Sequence, residues 1–206
     1  HTVSRGESLY LIGLNYGVSV NDILSYNPQI TNPNVVFIGQ RIVIPPSTRI
    51  LGTIEVNGYA YPSTSMEVLE KTLPYLTYLS IFSYNVNPDG SLITINDTPL
   101  IEAARRAGTA PLMVITNRGF SSDVASSILN SESVQNTLLN NVLSTLRAKN
   151  YYGLDIDFEY IYPSDRVNYN NFLRKVVNTL KPLGYTISTA LAPKQSAAQQ
   201  GLLYEA

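Results

Sequence analysis

The chain of 206 residues contains no cysteine and no tryptophan, and its only histidine is residue 1. Without thiols there are no disulfides, no cysteine nucleophile and no thiolate metal ligand. With one imidazole, placed at the first position, a Ser-His-Asp triad and a His-rich zinc helix are excluded as well. Charge is scarce too: charged residues are 14% of the chain, against ~25% in ordinary soluble domains. The 14 basic and 15 acidic side chains leave a net charge of -1, too little for a broad electrostatic hold on nucleic acid or on an anionic membrane. Apolar runs are short, of the size of Pro111–Ile115, and none approaches the ~20 residues of a membrane span. What is abundant is tyrosine, with 15 copies, in a chain that is 44% hydrophobic and so still globular in composition. Low charge and absent thiols suit an extracytoplasmic setting. His rather than Met at position 1 reads as a start inside a longer translated product.

The first 46 residues read as one small α/β unit. His1–Ser4 alternates like a short strand. Ser8 can cap a helix over Leu9–Tyr16, with Gly17 placed where a left-handed residue is wanted. Ser19 and Asp22 form a capping-box pattern for a second helix, which Pro28 stops. Arg41–Ile44 reads as a closing strand, giving the order βααβ. Residues 47–53 follow as a linker, opened by the stiff Pro45-Pro46-Ser47-Thr48 stretch. From residue 54 onward strand and helix signals alternate. Strands are predicted at Ile50–Ala60, Tyr78–Tyr84, Pro111–Thr116, Tyr151–Tyr160 and Tyr185–Leu191. Helices are predicted at Ser65–Leu76, Asn96–Ala107, Ser131–Lys149 and Asp165–Leu180. Strands separated by crossover helices predict a parallel sheet in an α/β fold.

The segment Gly153-Leu-Asp-Ile-Asp-Phe-Glu-Tyr160 carries the chemistry. Strand alternation puts Asp155, Asp157 and Glu159 on one face and Leu154, Ile156 and Phe158 on the other. Like charges ~7 Å apart on a covered face compete for protons, which raises at least one pKa toward neutrality. An amphipathic edge strand with its acids in water is the competing reading. Two features weigh against it: the position between two crossover helices, and three acids in five residues of a chain otherwise sparing with charge.

These residues resemble the strand-four signature of glycoside hydrolase family 18, DxxDxDxE. Asp155, Asp157 and Glu159 fill its last three acidic positions and Tyr152 stands at the first. Residues 1–46 resemble a LysM module through Thr2-Val3, Gly6-Glu7-Ser8-Leu9, Tyr16-Gly17-Val18, Asn27-Pro28 and Gly39–Pro45. The pairing is similar to bacterial LysM-plus-family-18 enzymes of spore cortex lysis and germination. Thr116-Asn117-Arg118-Gly119 stands where chitinases carry SxGG, which points toward the peptidoglycan-directed branch.

The resemblance implies a (β/α)8 TIM barrel and a substrate-assisted mechanism that needs no metal and no cofactor, in agreement with the absent Cys and the single His. Glu159 would be general acid and base, Asp157 would orient the substrate's acetamido group, and Asp155 would hold Asp157 through a shared proton. Tyr160, Tyr59, Tyr61 and Tyr84 are candidate sugar contacts, with barrel packing as the plainer reading of Tyr59, Tyr61 and Tyr84. In the LysM resemblance Gly6, Glu7, Ser8 and Leu9 form one wall of a glycan groove and Asn27, Pro28, Gln29 and Ile30 the other, largely through main-chain groups. Ser8 and Asn27 also suit capping or turn roles. The implied ligands are peptidoglycan or chitin-type N-acetylated glycans, at a cell wall or spore cortex. A chitinase and a non-catalytic glycan-binding protein are the alternatives. A full barrel needs ~250 residues; only about five strands are read here, so the chain is expected to be the front part of one, inactive by itself and with an exposed sheet edge prone to aggregation. The strand-six Tyr-acid pair and the strand-eight Trp of the family have no counterpart in it.

Overall fold

The computed structural model describes residues 1–46 and 52–191. Residues 47–51, which take in most of the predicted linker and the first two residues of the predicted strand Ile50–Ala60, and residues 192–206 lie outside the described residues. The chain divides into two compact units, one ending at Ile54 and the other beginning at Glu55.

The first unit holds α1 (Leu9–Tyr16) and α2 (Val20–Ser25). Both helices start and stop where the sequence chemistry asks. The Ser8 hydroxyl accepts from the Leu11 amide, and Gly17, at φ 67°, closes α1 in the left-handed region. Ser19 and Asp22 form a complete capping box on α2. Val3, Leu9, Ile12, Ile23, Ile30 and Ile42 make the core. The two predicted strands contract to a single antiparallel bridge between Thr2 and Arg41. Main-chain bonds flank that bridge, from the Val3 N–H to the Gln40 carbonyl and from the Ile42 N–H to the His1 carbonyl, while the Asn27 side chain takes up the N–H and the C=O of Val43 on the other edge.

The second unit runs β1 (Asn57–Ala60), α3 (Met66–Thr72), β2 (Tyr78–Val86), β3 (Leu92–Ile93), α4 (Thr98–Arg106), β4 (Ala110–Asn117), α5 (Ser122–Leu129), α6 (Glu132–Lys149), β5 (Gly153–Ile156), α7 (Arg166–Leu180) and β6 (Thr186–Thr189). Five strands are parallel in the order β1-β2-β4-β5-β6, with β3 antiparallel to β2. This is the parallel α/β layout that the alternating signals predict. Two elements escape the sequence reading. β3 is only two residues long, and α5 is a Ser-rich helix that follows its strand after a single turn. One sheet face, with Ile81, Met113, Ile115, Leu154 and Ile156, packs against Leu100, Leu138, Val142, Phe172 and Val176 of the helices. Burial of this layer drives the fold at ~25 cal/mol per Å² of apolar surface. Gly153 lets β6 approach: a Cβ there would lie 2.2 Å from the Thr186 carbonyl oxygen. No helix among the described residues is long and apolar enough to cross a membrane.

Two irregularities shape the functional end of the sheet. The register between β2 and β4 slips between Ile81 and Tyr84, a bulge that sets two residues of β2 against one of β4. Regular pairing of β5 stops at Ile156, four residues before the predicted end at Tyr160. The Asp157 amide still donates to the Ile115 carbonyl at 2.9 Å. Beyond it the chain is held by a side chain, as described next.

Candidate active site

Asp155 lies at the bottom of the site, 1% exposed. Tyr59 Oη donates to its Oδ2 at 2.7 Å, Ser80 Oγ to Oδ2 at 3.2 Å and Ser188 Oγ to Oδ1 at 2.8 Å. These donors come from β1, β2 and β6, so four strands converge on one carboxyl group. Three hydroxyls thus converge on one carboxyl group, that of Ser80 being shared with Asn57 Oδ1 at 3.1 Å. Burial, then the bond to Asp155 and its charge, push the Tyr59 phenol upward.

Asp157 sits one layer higher, 8% exposed. Burial first, then the charges of Glu159 and Asp155, raise its pKa to about 6. The expected proton competition among the three acids thus falls on the middle one. Glu159 is exposed at the rim, and its main chain is pinned by Asn117. The Glu159 amide donates to Asn117 Oδ1 at 3.0 Å, while Asn117 Nδ2 donates to the Glu159 carbonyl at 3.0 Å. Asp157 and Glu159 open into a cleft with Tyr59, Tyr61, Phe82, Phe120 and Ala190. The four rings form a continuous wall, with centroids 5.2 Å apart for Tyr61–Phe82, 6.3 Å for Tyr59–Phe82 and 6.4 Å for Phe82–Phe120. Two carboxyl groups facing an aromatic wall are suited to proton transfer beside a stacked, hydroxyl-bearing ring.

Residues 56–206 match glycosyl hydrolases family 18, and residues 1–45 match the LysM domain. The chain belongs to glycosyl hydrolase family 18. A cortical fragment-lytic enzyme of Bacillus subtilis (strain 168) is 35% identical over an alignment that takes in 100% of this chain and 61% of that enzyme. The cortical fragment-lytic enzyme of Bacillus anthracis is 37% identical over 80% of this chain and 40% of its own length. The crystal structure of the Bacillus cereus spore cortex-lytic enzyme SleL superposes with a TM-score of 0.73 and 33% identity, covering 98% of this chain and 49% of that one. The chain therefore spans less than two thirds of the length of these relatives. The five parallel strands are part of the barrel expected from the resemblance.

Within the family 18 unit, four predicted residues, Asp157, Glu159, Tyr59 and Tyr61, meet at the cleft, and Asp155 lies beneath them. Two do not. Tyr84 is fully buried on the helix side of the sheet. There its hydroxyl donates to Asp97, beside Lys149 and Tyr151. The bulge in β2 is the reason: the extra residue shifts the alternation, so that Ile81 and Tyr84 both face the helices. Tyr160 is 70% exposed and is not among the cleft residues, because its backbone turns into the left-handed region at φ 52°. The sequence reading missed Ser80, Phe82, Asn117, Phe120 and Ser188. Ser80 and Phe82 alternate with Leu79 and Ile81, a signal hidden because the strand is apolar on both faces. Phe120 sits in a turn after Gly119 and carries no periodic signal.

In the LysM unit the two predicted walls are built mostly from structural side chains. Leu9 and Ile30 belong to the core and Asn27 is completely buried. Asn27 Nδ2 donates to the Ile23 and Val43 carbonyls at 2.7 Å each, and its Oδ1 accepts from the Val43 amide at 2.8 Å. With these side chains buried, Leu9, Asn27 and Ile30 can offer a glycan only main-chain groups. Glu7 Oε2 accepts from the Ser4 amide and sits 2.9 Å from His1 Nε2. Ser8 caps α1, and Gly6 takes φ 87°. Pro28 and Gln29 are exposed.

Proposed function

We propose that the family 18 unit is the catalytic part of a retaining, substrate-assisted glycoside hydrolase acting on 2-acetamido glycans of spore-cortex or cell-wall peptidoglycan, with the LysM unit holding the same polymer. Asp157 and Glu159 facing the four-ring wall is the observation that carries this reading. Glu159 donates its proton to the glycosidic oxygen as the bond from that oxygen to C1 breaks. The acetamido carbonyl oxygen of the same sugar forms a bond to C1 and leaves positive charge on the resulting oxazolinium ring. Asp157 orients the acetamido group and compensates that charge, with Asp155 fixed beneath it. Glu159 then takes a proton from water, whose oxygen attacks C1 and reopens the ring. Two displacements at one carbon retain the anomeric configuration. The rings stack on pyranose faces.

Peptidoglycan is favoured over chitin by the 35% identity to an enzyme named for cortical fragments. The test uses the full-length protein on three substrates: cortex fragments, the same fragments after chemical removal of the N-acetyl groups, and N-acetylated chitin oligomers. Reducing ends are expected from the first and not from the second, with chitin oligomers cut more slowly. Equal cleavage of the de-N-acetylated fragments would overturn the mechanism. Faster cleavage of chitin oligomers would make the protein a chitinase. Glycan binding without cleavage of any substrate would make it a binding protein.

A further inference from the structure

The end of β5 is held by a side chain where a strand would normally hold it. In a parallel ladder the bond after Asp157 N–H to Ile115 O runs from the Glu159 N–H to the main-chain oxygen of Asn117. Here that bond goes to Asn117 Oδ1 at 3.0 Å, and Asn117 Nδ2 returns one to the Glu159 carbonyl at 3.0 Å. The ladder is continued at arm's length, so the Glu159 segment leaves the sheet and reaches the rim of the cleft. Asn117 is itself fully buried and cannot reorient. Its Nδ2 also donates to the Ser121 carbonyl at 2.9 Å, in the turn that carries the cleft residue Phe120. Ser122 Oγ donates to the Tyr160 carbonyl, and Tyr162 Oη to Asp123 Oδ1 at 2.8 Å. Phe120 and Tyr160 both take left-handed backbone, at φ 51° and 52°. Such conformations cost ~1–3 kcal/mol each for non-glycine residues and persist only when their surroundings enforce them.

We infer that Asn117 is a positioning residue that fixes Glu159 against the aromatic wall, setting the gap between proton donor and sugar by binding both loops at once. Only an amide side chain can do this, because it presents a donor and an acceptor side by side as a peptide group does. The role rests on the proposed function for its catalytic half, but the clamp itself does not.

The test compares Asn117→Ala and Asn117→Asp in the full-length protein, reading hydrogen exchange at the Glu159 amide and kcat and KM on cortex fragments. In the parent the Glu159 amide exchanges slowly. In Asn117→Ala it exchanges at least about tenfold faster, and kcat falls ~10–100-fold with KM within about twofold, since misplacement by ~1 Å costs that much. Asn117→Asp is close to isosteric and keeps the acceptor, so it retains most of the amide protection while losing both carbonyl contacts; its kcat lies between the other two. Unchanged exchange at Glu159 in both variants would overturn the clamp. Lost exchange protection with unchanged kcat would overturn its part in positioning. A parent that releases no reducing ends would remove the glycosidase reading, and the exchange data would still decide the clamp.

Discussion

Asn27 in the LysM unit and Asn117 in the family 18 unit are both fully buried, and both spend an amide in the same way. Each accepts from one main-chain N–H, donates to the carbonyl of that same residue, and donates to a second carbonyl. For Asn27 these are Val43 and Ile23; for Asn117 they are Glu159 and Ser121. The difference lies in what is held. Asn27 ties a helix end to the chain's return segment in a unit with six core residues, so its bonds are a large share of that unit's stability. Asn117 stands at the edge of a unit whose core is several times larger, and it holds the proposed proton donor. One device serves folding in one place and chemistry in the other.

Four substitutions sharpen or break this comparison. Gly153→Ala should have the largest effect. Its Cβ would meet the Thr186 carbonyl at 2.2 Å and force β5 and β6 apart, costing about 3 kcal/mol or more in the second unit and leaving the first alone. Calorimetry of the two transitions checks this. Asn27→Ala should come next: stranding up to three main-chain groups costs ~2–4 kcal/mol, enough to remove the first unit's transition while kcat on short soluble fragments persists. If kcat fell as it is expected to fall in Asn117→Ala, the contrast between the two clamps would be lost. Asp157→Asn tests the site through pH. The folded pKa of Asp157 is raised from 3.8 to about 6, so its favourable contribution is complete below 3.8 and is lost as pH rises through about 6. The Asn variant should therefore gain in Tm on the parent between pH 4 and pH 8, in the second transition only; a constant offset would contradict the raised pKa. Tyr59→Phe should be the mildest, since Asp155 keeps its bonds from Ser80 and Ser188. A stability loss of ~1 kcal/mol is expected, with kcat down about tenfold or less.

Much of this was legible in the sequence, for physical reasons that differ by element. Helix ends were readable because caps are local: Ser8, Gly17, Ser19 and Ser131 act within four residues of their own position. The acids were readable because alternation on a strand is a strict period of two, and Asp155 and Asp157 follow it. Tyr84 takes the plainer of its two readings, packing, and why it turns to the helices is not legible: a single inserted residue in β2 shifts every side chain after it and leaves no mark in composition. The position of Tyr160 was not legible either: side-chain anchoring by Asn117 replaces the strand there, and the backbone turns away. Asn117 itself was invisible, since a buried Asn at a strand end looks like any loop polar residue until the segment it holds is known. Ser80, Ser188 and Phe120 reach the site from distant parts of the chain, and only the sheet order brings them together.

The central claim is that Glu159 transfers the proton. The most direct measurement is the rate of reducing-end release from cortex fragments by the full-length protein and by its Glu159→Gln variant, with fragment binding followed in parallel. Loss of a general acid predicts a fall of ~10²–10⁴-fold or more with binding preserved, since the amide keeps the shape of the carboxyl group and the Asn117 clamp holds main chain. Release by Glu159→Gln at the parent rate would contradict the account.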